Sequence, residues 1–187
     1  IGEGCARKFA SEGANLILNG RNQDKLNELK VELEADFGIE VLLLPFDVRD
    51  RERAKVAIES LEGKWKSIDV LVNNAGLVIG FDKEFEGVLE EWDIVIDTNI
   101  KGLLNITRLV TPGMVQRGVG HIINIGSIAG DAAYPGGSVY CATKAAVKIL
   151  SDGLRQDLVD TPLRVTNIKP GLVETNFSVV RYRGDKD

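Results

Sequence analysis

The chain has 187 residues, a formal net charge of −5, 44% hydrophobic and 27% charged residues, a length that suits one domain with a sizeable core. Its acidic balance, with a pI near 5.1, gives no electrostatic footprint for nucleic acid or an anionic membrane, and no apolar run approaches the ~18 residues of a membrane span. Cys5 and Cys141 form no metal-ligand or redox spacing; no metal is expected, and so few cysteines point to a reducing, cytoplasmic compartment.

Residues 6–12 have helical character, and Gly13 suits a stop. The apolar run 15–19 is a candidate buried strand, after which Gly20, Arg21 and Asn22 turn the chain. Leu26, Leu29, Leu33 and Phe37 recur at helical spacing up to Gly38. A strand over 41–46 closes at Asp47 and Val48. A charged helix is predicted over 51–66, then a strand at 70–72 and the turn Asn73, Asn74, Ala75, Gly76. A long helix over 89–117 has Asn99 in its middle and Pro112 near its end. A strand at 122–125, a helix over 139–158 and a strand at 163–168 follow, the last leading into Lys169, Pro170 and Gly171.

Strands thus alternate with helices and read as continuous apolar runs, the pattern of a parallel sheet covered on both faces. Right-handed crossovers make this an α/β fold, a Rossmann-type doubly wound parallel sheet in a single domain over residues 1–187. Ligands then bind outside the carboxyl ends of the strands. The unusual stretches fall at those ends: Gly20-Arg21, Asp47-Val48, Asn73 to Gly76, Gly126-Ser127 and Pro170-Gly171.

Tyr140 and Lys144 are four apart and share a helix face. A phenol with a pKa of about 10 is a poor acid–base catalyst at neutral pH, and a neighbouring ammonium favours its phenolate. Ser127 is placed to hydrogen-bond a substrate oxygen beside that phenol. Alone, Tyr-x-x-x-Lys is a weak signal, since a packed Tyr and a solvated Lys share the same spacing. A serine hydrolase is set aside: Gly126-Ser127-Ile128-Ala129-Gly130 is not Gly-x-Ser-x-Gly, and the single histidine, His121, opens a strand.

Gly2, Asp47, Asn73 to Gly76, Asn99, Ser127, Tyr140, Lys144, Pro170, Gly171 and Thr175 together resemble the motifs of the short-chain dehydrogenase/reductase family, in order and at family-like intervals. The resemblance implies an NAD(P)-binding domain that transfers hydride. It makes Tyr140 the general acid/base and Lys144 the residue that binds the nicotinamide ribose and lowers the pKa of Tyr140. Ser127 orients the substrate oxygen, and Asn99 distorts its helix and holds a proton-relaying water. Further cofactor contacts are implied at Ile1 (the end of a glycine-rich phosphate loop), Asp47, Val48, Asn74, Ala75, Gly76, Pro170, Gly171, Val173 and Thr175. A homotetramer formed through the two long helices is the family habit. The family's first strand and its last are expected to lie outside the given residues, before Ile1 and after Asp187.

Residues 105–130 and 170–185 are similar to the family's NADP-dependent 3-hydroxy acid dehydrogenase branch, which oxidises serine, allo-threonine and related β-hydroxy acids. A 3-oxoacyl thioester reductase and a dinucleotide-binding sensor without chemistry are the alternatives. In folds of this type an acidic residue ending the second strand binds the adenosine ribose and repels a 2′-phosphate. Here no carboxylate appears before Asp24, and Arg21 offers a permanently charged, fork-shaped donor; NADP is the expected cofactor. Arg181 and Arg183 are candidates to hold a substrate carboxylate, or else are exposed loop arginines.

Overall fold

The strands are four or five residues long, mostly apolar except for the last, Arg-Val-Thr-Asn-Ile, whose burial alternates, and helices carry the chain back between them, so that neighbouring strands pair in parallel. The structure is a computed structural model that describes residues 1–173 and Arg181. The chain divides into two units, Ile1–Lys66 and Ser67–Asp187.

In the first unit, α1 (Gly2–Ser11) leads to β1 (Leu16–Gly20), α2 (Gln23–Phe37), β2 (Val41–Pro45) and α3 (Arg51–Glu59). Strands β1 and β2 are parallel, in register from Leu16 opposite Val41 to Gly20 opposite Pro45. Ala6 and Ala10, one helical turn apart, pack with Leu33, Ile39 and Val41 to form the core. Asn22 caps α2 by accepting from the Lys25 amide at 3.0 Å, and Gly38, at φ 65°, ends it in the left-handed conformation. The helix expected over 51–66 is shorter: it closes at Glu59, where the Ser60 hydroxyl donates back to the Ala57 carbonyl at 3.0 Å. The chain resumes as a 3-10 turn at Gly63–Lys66, with Gly63 at φ 54°.

In the second unit, β3 (Val70–Asn73) precedes α4 (Leu89–Ile96), a π-helical turn at Asp97–Gly102 and α5 (Leu103–Arg117). Then come β4 (His121–Ile125), a 3-10 turn at Ile128–Gly130, α6 (Ser138–Asp157) and β5 (Arg164–Ile168). The parallel order is β3-β4-β5. A buried polar ladder ties the sheet to its helices. Asn73 donates to Thr107 Oγ1 at 2.9 Å and to Asn124 Oδ1 at 2.8 Å. Asn124 donates in turn to Ser151 Oγ at 2.9 Å, and Ser151 to the Val147 carbonyl at 2.7 Å. Each buried amide and hydroxyl thereby recovers the hydrogen bonding it loses on leaving water. His121, at the start of β4, bonds Thr166 Oγ1 across the β4–β5 pair at 2.9 Å. Among the described residues no helix is long and apolar enough to cross a membrane, and no cluster of His, Cys, Asp or Glu is built to hold a metal ion.

Candidate active site

Gly137 precedes the first residue of α6, which places Tyr140 in the first turn and Lys144 one turn further on. Both are buried. Lys144 Nζ donates to the Ile125 carbonyl at 2.8 Å and lies 5.9 Å from the centre of the Tyr140 ring. Burial pulls the ammonium down to a pKa of about 8.

Tyr140 behaves differently from the sequence expectation. Its pKa is raised above the ordinary phenol value, because burial penalises the phenolate more than the hydrogen bond from Ser127 favours it. Tyr134 and Cys141 add to the rise, and the positive charge of Arg181 opposes it. The Lys144 ammonium donates to the Ile125 carbonyl, and burial outweighs the groups that favour the phenolate.

Ser127 follows β4 in an extended conformation, φ −168° and ψ 153°, and its Oγ accepts from the Ala129 amide at 3.1 Å. That bond folds the chain into the 3-10 turn, and Gly130 seats the turn directly on α6. A Cβ at Gly130 would lie 2.7 Å from the carbonyl carbon of Lys144, well inside van der Waals contact. The turn also holds Pro170, whose carbonyl accepts from the Ile128 amide at 3.2 Å. Pro170 and Gly171 therefore follow β5 beside this turn, and Gly171 and Val173 are exposed. Thr175 and Arg183 lie outside the described residues.

Asn99 sits inside the π-helical turn and is almost wholly buried, so the expected helix distortion is present. Its Oδ1 accepts from the Leu77 amide at 2.8 Å. Its Nδ2 donates to the Leu77 carbonyl at 2.9 Å and to Thr143 Oγ1 at 3.0 Å. Both amide hydrogens are thus engaged within the protein, and a water relay at this residue must run through its carbonyl oxygens. Thr143 completes the link by donating to the Tyr140 carbonyl at 2.7 Å. Between these groups runs the Asn74, Ala75, Gly76 turn. A Cβ at Gly76 would stand 3.2 Å from Lys144 Nζ and 3.3 Å from Asn99 Oδ1, so only glycine lets the backbone pass without displacing them.

Beside Tyr140, a pocket is lined by Val78, Gly80, Asp82, Trp92, Val95 and Gly137, among others. Sequence reasoning missed several participants. Thr143 carried a readable signal, since i+3 spacing places its hydroxyl at the Tyr140 carbonyl. Trp92, Phe81 and Tyr134 carried none, because their place depends on how distant loops meet.

In the first unit, Arg21 follows β1 and is exposed, as is Ile1, which precedes α1. Asp47 takes the Arg49 guanidinium side-on, accepting at 3.1, 3.0 and 2.7 Å. That pairing holds the carboxyl below its usual range, with a smaller contribution from the charge of Arg21. The helix cap in this stretch is Asp50, which accepts from the Arg53 amide at 3.0 Å; Val48 is buried between them in sequence. With no acid at the end of β1, and two guanidinium groups near Asp47, the donor set fits a phosphorylated adenosine.

A family model described as short chain dehydrogenase matches residues 1–185. The "NADP-dependent 3-hydroxy acid dehydrogenase YdfG" of Salmonella typhi is 50% identical over 188 residues, covering 100% of this chain and 74% of that protein. The "NADP-dependent 3-hydroxy acid dehydrogenase" of Schizosaccharomyces pombe is 42% identical over 187 residues, covering 100% of this chain and 72% of that protein. Among solved structures, the closed form of serine dehydrogenase complexed with NADP+ matches with a TM-score of 0.94 at 49% identity, covering 98% of this chain and 73% of that one.

Proposed function

The chain belongs to the short chain dehydrogenase family, and on that premise we propose that it is an NADP-dependent oxidoreductase interconverting a small 3-hydroxy acid and its oxo form. The observation that carries the reading is the Ser127–Tyr140 hydrogen bond at the head of α6, with Lys144 buried one turn away and held by the Ile125 carbonyl. A sensor without chemistry has no use for a desolvated lysine beside a hydrogen-bonded phenol.

Tyr140 gives its proton to the carbonyl oxygen in reduction and removes it from the alcohol in oxidation. Ser127 holds that same oxygen in line with the phenol. Lys144, Asn74, Ala75, Gly76, Pro170, Gly171, Val173 and Thr175 would hold the nicotinamide ribose and ring, while Ile1, Asp47 and Val48 would hold the phosphates and adenine. Arg21 would pair with the 2′-phosphate. The cofactor, when bound, supplies or accepts the hydride. The residues act as one domain in this reading.

The reading extends to a homotetramer in the cytoplasm. Leu104 and Val115 on α5 and Ile149 on α6 are exposed apolar side chains, as helices that meet a second copy require. The experiment is a panel of 3-hydroxy acids assayed with NADP and with NAD. Turnover with NADP at higher kcat/KM is the expected result, and no turnover of any 3-hydroxy acid would reject the reading.

A further inference from the structure

Arg181 lies outside the machinery just described, yet it is built into the loops around the pocket. Its carbonyl accepts from the Gly80 amide at 2.9 Å, and Gly80 lines the pocket together with Tyr140. Its guanidinium carbon stands 3.8 Å from the centre of the Phe81 ring and 5.1 Å from that of Tyr134. Nη1 donates to the Tyr134 hydroxyl at 3.0 Å. Phe81 is fixed in turn by Gly136, another pocket residue, where a Cβ would fall 2.3 Å from the Phe81 carbonyl oxygen. The planar cation is therefore held by one face and by one nitrogen.

The opposite edge is different. Nε and Nη2 are both shielded from solvent and find no hydrogen-bond partner among the described residues. Charged donors left in that condition are costly, and the native arrangement that relieves them is an acceptor with two oxygens. Nε and Nη2 point along parallel N–H bonds, the spacing of a carboxylate. The charge of Arg181 is also felt at the Tyr140 phenol, so a group bound on that edge lies within electrostatic reach of the acid–base residue. Asp82, on the wall of the same pocket, disfavours a second negative charge elsewhere in it.

We propose that Arg181 is the specificity residue for the acid group of the substrate, its Nε–Nη2 edge receiving the carboxylate of a 3-hydroxy acid whose hydroxyl faces Tyr140. Phe81 and Tyr134 act as positioning residues that hold the guanidinium flat and in register. The assignment rests on the functional reading above and deepens it, since it explains why the substrate is an acid rather than a neutral alcohol.

The test compares a 3-hydroxy acid with its methyl ester, which keeps the reacting hydroxyl and loses the charge. In Arg181→Met the acid should lose about 10- to 100-fold in kcat/KM, mostly through KM, while the ester changes by no more than about twofold. NADPH affinity, followed by fluorescence, should be unchanged. Equal losses on acid and ester overturn the proposal and leave the dehydrogenase reading intact. A wild-type enzyme that oxidises neither compound overturns both. If Arg181→Met does not fold, Tyr134→Phe serves in its place: loss of the bond to Nη1 should lower the acid-to-ester ratio by about two- to tenfold, and an unchanged ratio overturns the proposal.

Discussion

Asn99 and Leu77 are joined through both backbone groups of Leu77, the amide donating to Oδ1 at 2.8 Å and the carbonyl accepting from Nδ2 at 2.9 Å. A side-chain amide here takes the place of a neighbouring strand for the segment after β3. Its second Nδ2 hydrogen goes to Thr143, which carries the connection on to Tyr140. Asn99→Ala strands a buried amide and a buried carbonyl at once and is expected to cost about 2–4 kcal/mol of unfolding free energy. Urea denaturation measures it. A loss below about 0.5 kcal/mol would mean that the brace is not carrying load.

Tyr140→Phe removes the proton donor and leaves the packing unchanged. Turnover should fall by at least about 100-fold with NADPH affinity retained. In the wild type, the raised phenol pKa keeps the protonated form dominant at neutral pH. Reduction should therefore be nearly flat with pH in that range and decline on the alkaline side. Oxidation needs the phenolate, so its kcat/KM should climb with pH; an oxidation rate independent of pH would move the acid–base role elsewhere.

Lys144 makes stability depend on pH in a defined direction. Its pKa falls from 10.5 to about 8 in the folded protein, so between these values the unfolded chain binds more protons than the folded one. Unfolding free energy should rise with pH across that window by up to ~1.4 kcal/mol per pH unit, relative to Lys144→Met. Below it the difference between the two proteins should be constant. Chemical denaturation of both proteins from neutral pH upwards reads the effect, and parallel curves throughout would show that the lysine is not buried as described.

Arg21→Ala should reduce the preference for NADP over NAD by about 10- to 100-fold, the size of one charge-assisted pairing. NAD turnover itself should stay largely intact. Steady-state kcat/KM with each cofactor decides the matter, and an unchanged ratio would transfer the role to another cation, Arg49 being the one beside Asp47.

Much of this was legible in the residues. Leu26, Leu29 and Leu33 announced α2 because helical burial leaves a periodic trace, and Gly38 marked its end by the conformation only glycine takes readily. Asn99 stood out as a poor helix former in mid-helix, where the structure has a π-helical turn. The end of α3 was not legible, because it turns on Ser60 finding the Ala57 carbonyl, and a serine hydroxyl has several such options. The hydrogen bond of Lys144 was not legible for a related reason. Spacing puts Lys144 on the same face, but where its ammonium points depends on the Ile125 carbonyl, which belongs to a strand. The stacking of Arg181 on Phe81 joins positions 100 residues apart in the chain, and no local pattern encodes it.

The contact at Gly130 bears on motion. The turn that begins at Ser127 rests on the backbone of α6 at Lys144 with no side chain between them, and α6 is pinned to β4 through Ser151 and Asn124. Strand, turn and helix are therefore expected to move together, so that the serine stays close to the phenol. Any opening that admits substrate must occur in the surrounding loops, at a rate separate from that of the chemistry. Amide hydrogens in β4 and the middle of α6 should therefore exchange together, at the rate of global unfolding rather than of local opening.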